Sequence, residues 1–140
     1  MTTPSPDPEL QAFINELFHL ARTGGEPACD RLRTLVTLGL NPNISNEEGN
    51  TLLMIAAYSG HADIVRELIN MGADLNQLND RGQSPLAGAI FKKYPEVIAT
   101  LINHGADPHI GHPSAYNTAK MFGLSDLVAH LDAHDSGDKR

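Results

Sequence analysis

Cysteine, tryptophan and clustered basic charge are nearly missing from this sequence, and each shortage excludes something. The one cysteine, Cys29, has no partner for an internal bridge, which removes a disulfide-stapled secreted scaffold and points to a reducing, cytoplasmic setting. Ten Lys and Arg stand against 17 Asp and Glu, a formal charge of −7 with the seven His neutral. The few basic residues are scattered, so the sequence lacks the cationic footprint that supplies nucleic-acid affinity. No window approaches the roughly 20 apolar residues of a membrane span. Residues 1–8 have neither the basic end nor the apolar core of a secretory signal. Only 5% of the chain is aromatic, which argues against one aromatic core and means that every exposed ring needs a reason. What remains is a 140-residue chain, one domain's worth, able to bury roughly 68–70% of its unfolded surface without a metal or a bridge.

The chain repeats itself. Gly39-Leu-Asn-Pro-Asn43, Gly72-Ala-Asp-Leu-Asn76 and Gly105-Ala-Asp-Pro-His109 fall into register with a period of 33 residues. Leu35, Leu68 and Leu101 share one column, and Val36, Ile69 and Ile102 the next. Asn46 pairs with Asn79, and Gly49 with Gly82, at the same step. Each unit reads as two short helices and a turn. In the second, Leu53, Ala56 and Ala57 lie at helical spacing before Gly60, and Ile64, Val65, Leu68 and Ile69 form an apolar stripe before Gly72. Gly60, Gly72 and Gly105 fit the left-handed position just past a helix end, and Ala56 and Ala89 fit close approaches that longer side chains would overpack.

These residues resemble the ankyrin repeat, with its period of 33 and its Thr-Pro-Leu-His-x-Ala stretch. The matching segments are Thr51-Leu-Leu-Met-Ile-Ala-Ala57 with Gly60-His61, and Ser84-Pro-Leu-Ala-Gly-Ala-Ile90. The resemblance implies an all-α solenoid of stacked helix-turn-helix units with protruding β-turn or hairpin fingers. The organisation expected is a flexible start at 1–6, a repeat domain at 7–134 with units at about 7–45, 46–78, 79–111 and 112–134, and a disordered tail at 135–140. The outer units act as caps with a polar outward face, carried at the end by His130, Asp132, His134 and Asp135. Asp7 and Pro8 open a long first helix whose apolar face is Leu10, Phe13, Ile14 and Leu17.

Departures from the family pattern carry their own expectations. Met54 and Ala87 stand where the family has a histidine that ties units together, so less polar cross-linking and more apolar stacking are expected. Lys93 occupies the glycine column of Gly60, a positive-φ position for a non-glycine residue, and Pro95 fixes the start of the next helix.

Chemistry is sparse. His104, His109 and His112 gather around a turn and His130 and His134 lie four apart, but the ligand-spacing rules for zinc are only half met, so no metal is expected. Cys29 lacks the setting of a nucleophile and reads as a small buried hydrophobe. No paired acids, no nucleophile-base couple and no phosphate loop appear, so neither an enzyme nor a cofactor site is expected.

What the resemblance implies is protein recognition on the concave side. Its variable helix positions carry over to His19, Arg22 and Thr23, then Ile55, Tyr58 and Ser59, then Gly88, Phe91 and Lys92, then Thr118, Met121 and Phe122. The turn tips are Glu47, Glu48 and Asn50, then Asp80, Arg81 and Gln83. Tyr58 and Phe91 are 33 residues apart, so stacking sets them side by side, with Met121 or Phe122 extending the row and Arg22 beginning it. The acids at the tips suggest a basic rim on the partner. The function expected is a monomeric adaptor for a protein partner, without catalysis. The alternative is a regulatory or inhibitory subunit of an enzyme or toxin encoded nearby.

Overall fold

The computed structural model describes residues 7–138, with side chains as far as Ala133. Eight helices follow one another there: α1 (Pro8–Thr23), α2 (Glu26–Thr37), α3 (Leu52–Ser59), α4 (Ala62–Asn70), α5 (Pro85–Lys92), α6 (Pro95–Asn103), α7 (Ala115–Met121) and α8 (Ser125–Asp138). Among the described residues the one extended pairing is an antiparallel bridge between Ser45 and Thr51. The expected flexible start at 1–6 and the last two residues of the expected tail lie outside the described residues. Helix α8 runs through 135–138, past the end expected for the repeat domain. The side chains of His134 and Asp135, expected in the polar cap, also lie outside.

Helix starts follow from short polar side chains that accept otherwise unpaired backbone N–H groups. Asp7 accepts from the Glu9 amide at 3.0 Å, with Pro8 opening α1. Thr51 accepts from Met54, Ser84 from Ala87 and Ser114 from Asn117, each at 3.1 Å. One Thr/Ser column thus starts α3, α5 and α7. The third member arrives three residues early, where the last unit's turn is shortened.

Helices α1, α3, α5 and α7 pack in succession as one layer, and α2, α4 and α6 as a second; each helix pair closes one unit. The core is the seam between the layers. Leu68, Leu101, Ala56 and Ala89 are fully buried there, and Leu35 nearly so. Leu10 differs from its expected place: it is 53% exposed, because the helix layer packs against α1 further along, around Leu17, Phe18 and Ala21.

Polar cross-links between units are more numerous than the loss of the family histidine suggested; they have moved to the turns and helix ends. Asn46 and Asn79 build identical fingers. Each side-chain carbonyl accepts two backbone amides, from Glu48 and Asn50 in the first finger and from Arg81 and Gln83 in the second, all at 3.0 Å. The fingers then join: the Asp80 amide donates to the Glu48 carbonyl at 3.0 Å, and Asn79 Nδ2 to Asn50 Oδ1 at 2.9 Å. The His112 amide donates to the Gly82 carbonyl at 2.9 Å. Behind the helices, His61 Nε2 lies 2.7 Å from the Arg22 carbonyl. Its ring covers Gly24, and Tyr94, one period later, covers Gly60; a β-carbon at either glycine would strike the ring. Lys93, in the column of Gly60, holds φ 64° without being glycine, and Pro95 opens α6.

Candidate interaction surface

Tyr58 leaves α3 and packs its ring against α5 at Gly88. A β-carbon at Gly88 would collide with the ring. A glycine inside a helix costs about 1 kcal/mol relative to alanine, and here it supplies the floor for a neighbouring unit's aromatic ring. The Tyr58 hydroxyl donates to Gln83 Oε1 at 3.1 Å. Burial pushes that hydroxyl above the usual phenol range, while the Arg81 guanidinium pulls it back, so the tyrosine stays a neutral donor.

Beside this floor a hollow of about 440 Å³ opens between the second finger, Pro113 and the facing sides of α5 and α7. Phe91 and Phe122 form one wall, ring centroids 5.7 Å apart and tilted by 38°. Met121 stands beside them. Phe91 is 61% exposed and Met121 69%, so these side chains are not packing for their own units. Lys93 Nζ sits 5.9 Å from the Phe122 centroid, within cation–π reach. Arg81 on the second finger and Lys92 at the end of α5 complete the rim.

Tyr58, Phe91, Lys92, Met121 and Phe122, from the expected row and its neighbours, therefore meet around one hollow. Arg22 stands apart. It is exposed at the end of α1 and borders a second hollow of about 320 Å³ with Glu47, Phe18 and Ile14. Arg81 joins the main hollow from its tip. Glu48 and Asp80 are exposed and joined through their backbones, and Ser59 closes α3 half-buried. Two of the positions carried over as variable are buried, though both line the hollow. Gly88 lies under Tyr58, and Thr118 is buried with its hydroxyl donating to the Ser114 carbonyl at 2.8 Å. The sequence signal for the floor was a glycine in mid-helix, where a solvent-facing helix would prefer alanine.

The histidines do not converge. His104 Nδ1 is 2.7 Å from the Thr100 carbonyl, and His109 packs its ring 5.1 Å from Tyr116. Among the described residues no three His, Cys, Asp or Glu are grouped as a metal would need. Cys29 is buried. Burial first, then Asp63, Glu67 and Glu26, pushes its thiol up, away from the thiolate form that reacts.

A family model for ankyrin repeats, three copies, matches residues 17–111. The chain belongs to the ankyrin-repeat family. An ankyrin repeat protein of Pseudomonas aeruginosa is 49% identical over 67 residues, which cover 45% of this chain and 37% of that relative. Ankyrin repeats are, as a family, modules for protein–protein interaction and not for catalysis. No helix among the described residues is long and apolar enough to cross a membrane. The matched stretch takes in the two fingers, Tyr58 and Phe91. Met121 and Phe122 come from the unit beyond it.

Proposed function

We propose that this ankyrin-repeat chain is a non-catalytic adaptor that holds a protein partner against the hollow formed by Tyr58, Phe91, Met121 and Phe122. The observation that carries this reading is the exposure of Phe91 and Met121 in a chain with so few aromatics. Exposed apolar side chains gathered at one place mark interaction sites, and aromatics and Met are enriched at interface centres. Filling such a hollow with a partner side chain excludes water from both sides, which is where binding energy concentrates.

The test is Phe91→Ser with Met121→Ser. Both side chains are exposed, so the circular dichroism spectrum and thermal midpoint should stay as in the parent. Affinity capture from the source cell, read by mass spectrometry, should then lose the proteins that the parent chain retains. Recovery of the same proteins by both chains would overturn the assignment of this surface. An inhibitory role would show as loss of a captured enzyme's activity when the parent chain is added, restored with the double variant.

A further inference from the structure

The charges around the main hollow run against those of the chain as a whole. The chain carries −7, yet none of the residues around the hollow is acidic, while Arg81 and Lys92 both border it. Lys93 adds a third cation against the Phe122 ring. Among the described residues, ion pairs engage Arg31 and Arg33, with Glu16, Asp30 and Glu67. None engages Arg81, Lys92 or Lys93. The acids at the finger tips, Glu47, Glu48 and Asp80, point to a basic rim on a partner only if the partner docks on the tips. At the hollow the complementarity is reversed.

We infer, resting on the docking role proposed above, that the occupant of the hollow is an acidic peptide segment: an apolar anchor flanked on both sides by a carboxylate. The helix between the two cations sets the scale of the spacing. Arg81 stands on the finger before α5, and Lys92 closes that helix, which has eight residues and so spans about 12 Å. An extended peptide rises about 3.3 Å per residue, so two carboxylates four residues apart match that length, and the residue midway between them, the anchor, lies on the same face. The apolar part enters against Phe91, Phe122 and the Tyr58 ring. Opposite charge at the rim fixes register and rejects basic sequences.

The experiment uses the full chain with its methionine methyl groups labelled for NMR. Met121 lies at the hollow and reports binding there; Met54, which is buried, and Met71 serve as internal controls. Three peptides are titrated at low salt: acetyl-Gly-Glu-Ala-Leu-Ala-Glu-Gly-amide, the same with both glutamates replaced by lysine, and the same with the leucine replaced by serine. The first should move the Met121 signal with a Kd at least about tenfold below either of the others, and the gap to the lysine peptide should shrink as salt is raised. Arg81→Glu with Lys92→Glu should reverse the preference in favour of the lysine peptide. Equal or tighter binding of the lysine peptide at Met121 would overturn the acidic occupant while leaving the hollow as a docking site. A Met121 signal that shifts with protein concentration alone would overturn it in favour of a second copy of the chain. If no peptide moves Met121, the inference falls, and the docking role stands or falls separately on the capture experiment with Phe91→Ser and Met121→Ser.

Discussion

The Tyr58 ring rests on the Gly88 backbone, in the space that a β-carbon would fill. Gly88→Ala must therefore move the ring, breaking the Tyr58–Gln83 hydrogen bond and opening the floor of the hollow. Overpacking typically costs about 1–3 kcal/mol, partly offset by the roughly 1 kcal/mol gained in helix propensity. Urea denaturation should show net destabilisation in the parent chain. In a Tyr58→Ala background the same change should stabilise, since only the propensity gain remains. A Gly88→Ala effect of the same sign in both backgrounds would mean that the ring does not need the glycine.

Leu68 sits at the centre of the seam with no exposed surface. Leu68→Ala removes buried methyl groups and leaves a cavity, which together cost about 2–5 kcal/mol. An unchanged denaturation midpoint would show that the two helix layers do not meet there.

Asn46 and Asn79 make the same finger but different cross-links. The Asn79 side chain also donates to Asn50 Oδ1 of the neighbouring finger at 2.9 Å and, within its own finger, to Gln83 Oε1 at 3.0 Å. Each hydrogen bond contributes about 0.5–1.5 kcal/mol, so Asn79→Ala should cost about 1–2 kcal/mol more than Asn46→Ala in the same denaturation series. Equal losses would place the stability in the turns themselves and not in their linkage.

Much of this could be read from the sequence because a repeat writes each structural demand more than once. The Leu35, Leu68 and Leu101 column, the Thr51 and Ser84 starts and the positive φ at Lys93 all follow from the period and from local backbone chemistry. Contacts that join one unit to the next were harder to read. The ring over Gly88 and the placement of Lys93 on Phe122 depend on side-chain direction, which spacing does not give. Arg22 illustrates the limit: its column matches Tyr58, but α1 ends differently from α3, and the side chain borders another hollow. Thr118 lines the hollow as its column implies, but it is buried and its hydroxyl turns back onto the Ser114 carbonyl four residues earlier.

Lys93 adopts the left-handed conformation at φ 64°, which glycine enters without strain. Lys93→Gly should raise stability by up to about 1 kcal/mol, measured by thermal or urea unfolding. A loss instead would show that the Lys93–Phe122 contact outweighs the backbone strain.

The Arg33 guanidinium, hydrogen-bonded to Glu67 at 2.8 and 3.1 Å, holds the Glu67 carboxyl below the usual carboxylate range. Because the folded-state value is the lower one, the contribution is present above the unfolded carboxylate value and is lost as pH falls through the folded one. Glu67→Gln should therefore lower the melting temperature slightly at neutral pH. The gap should close as the pH falls below about 4.5, the ordinary carboxylate value. A gap that persists in acid would assign the effect to packing and not to charge.

The backbone bonds between fingers all run one way, from the amide of a later unit to the carbonyl of the one before it, as Asp80 to Glu48 and His112 to Gly82. That direction gives the array a grammar. A whole unit of 33 residues inserted between Leu78 and Asn79 brings its own donor and its own acceptor, so every joint can be remade. A single extra residue within a helix pair turns its side chains about a third of the way off their seam and offers no matching joint. Changes of chain length are therefore tolerated in steps of one repeat, and the number of units can change while the joint between neighbours stays the same.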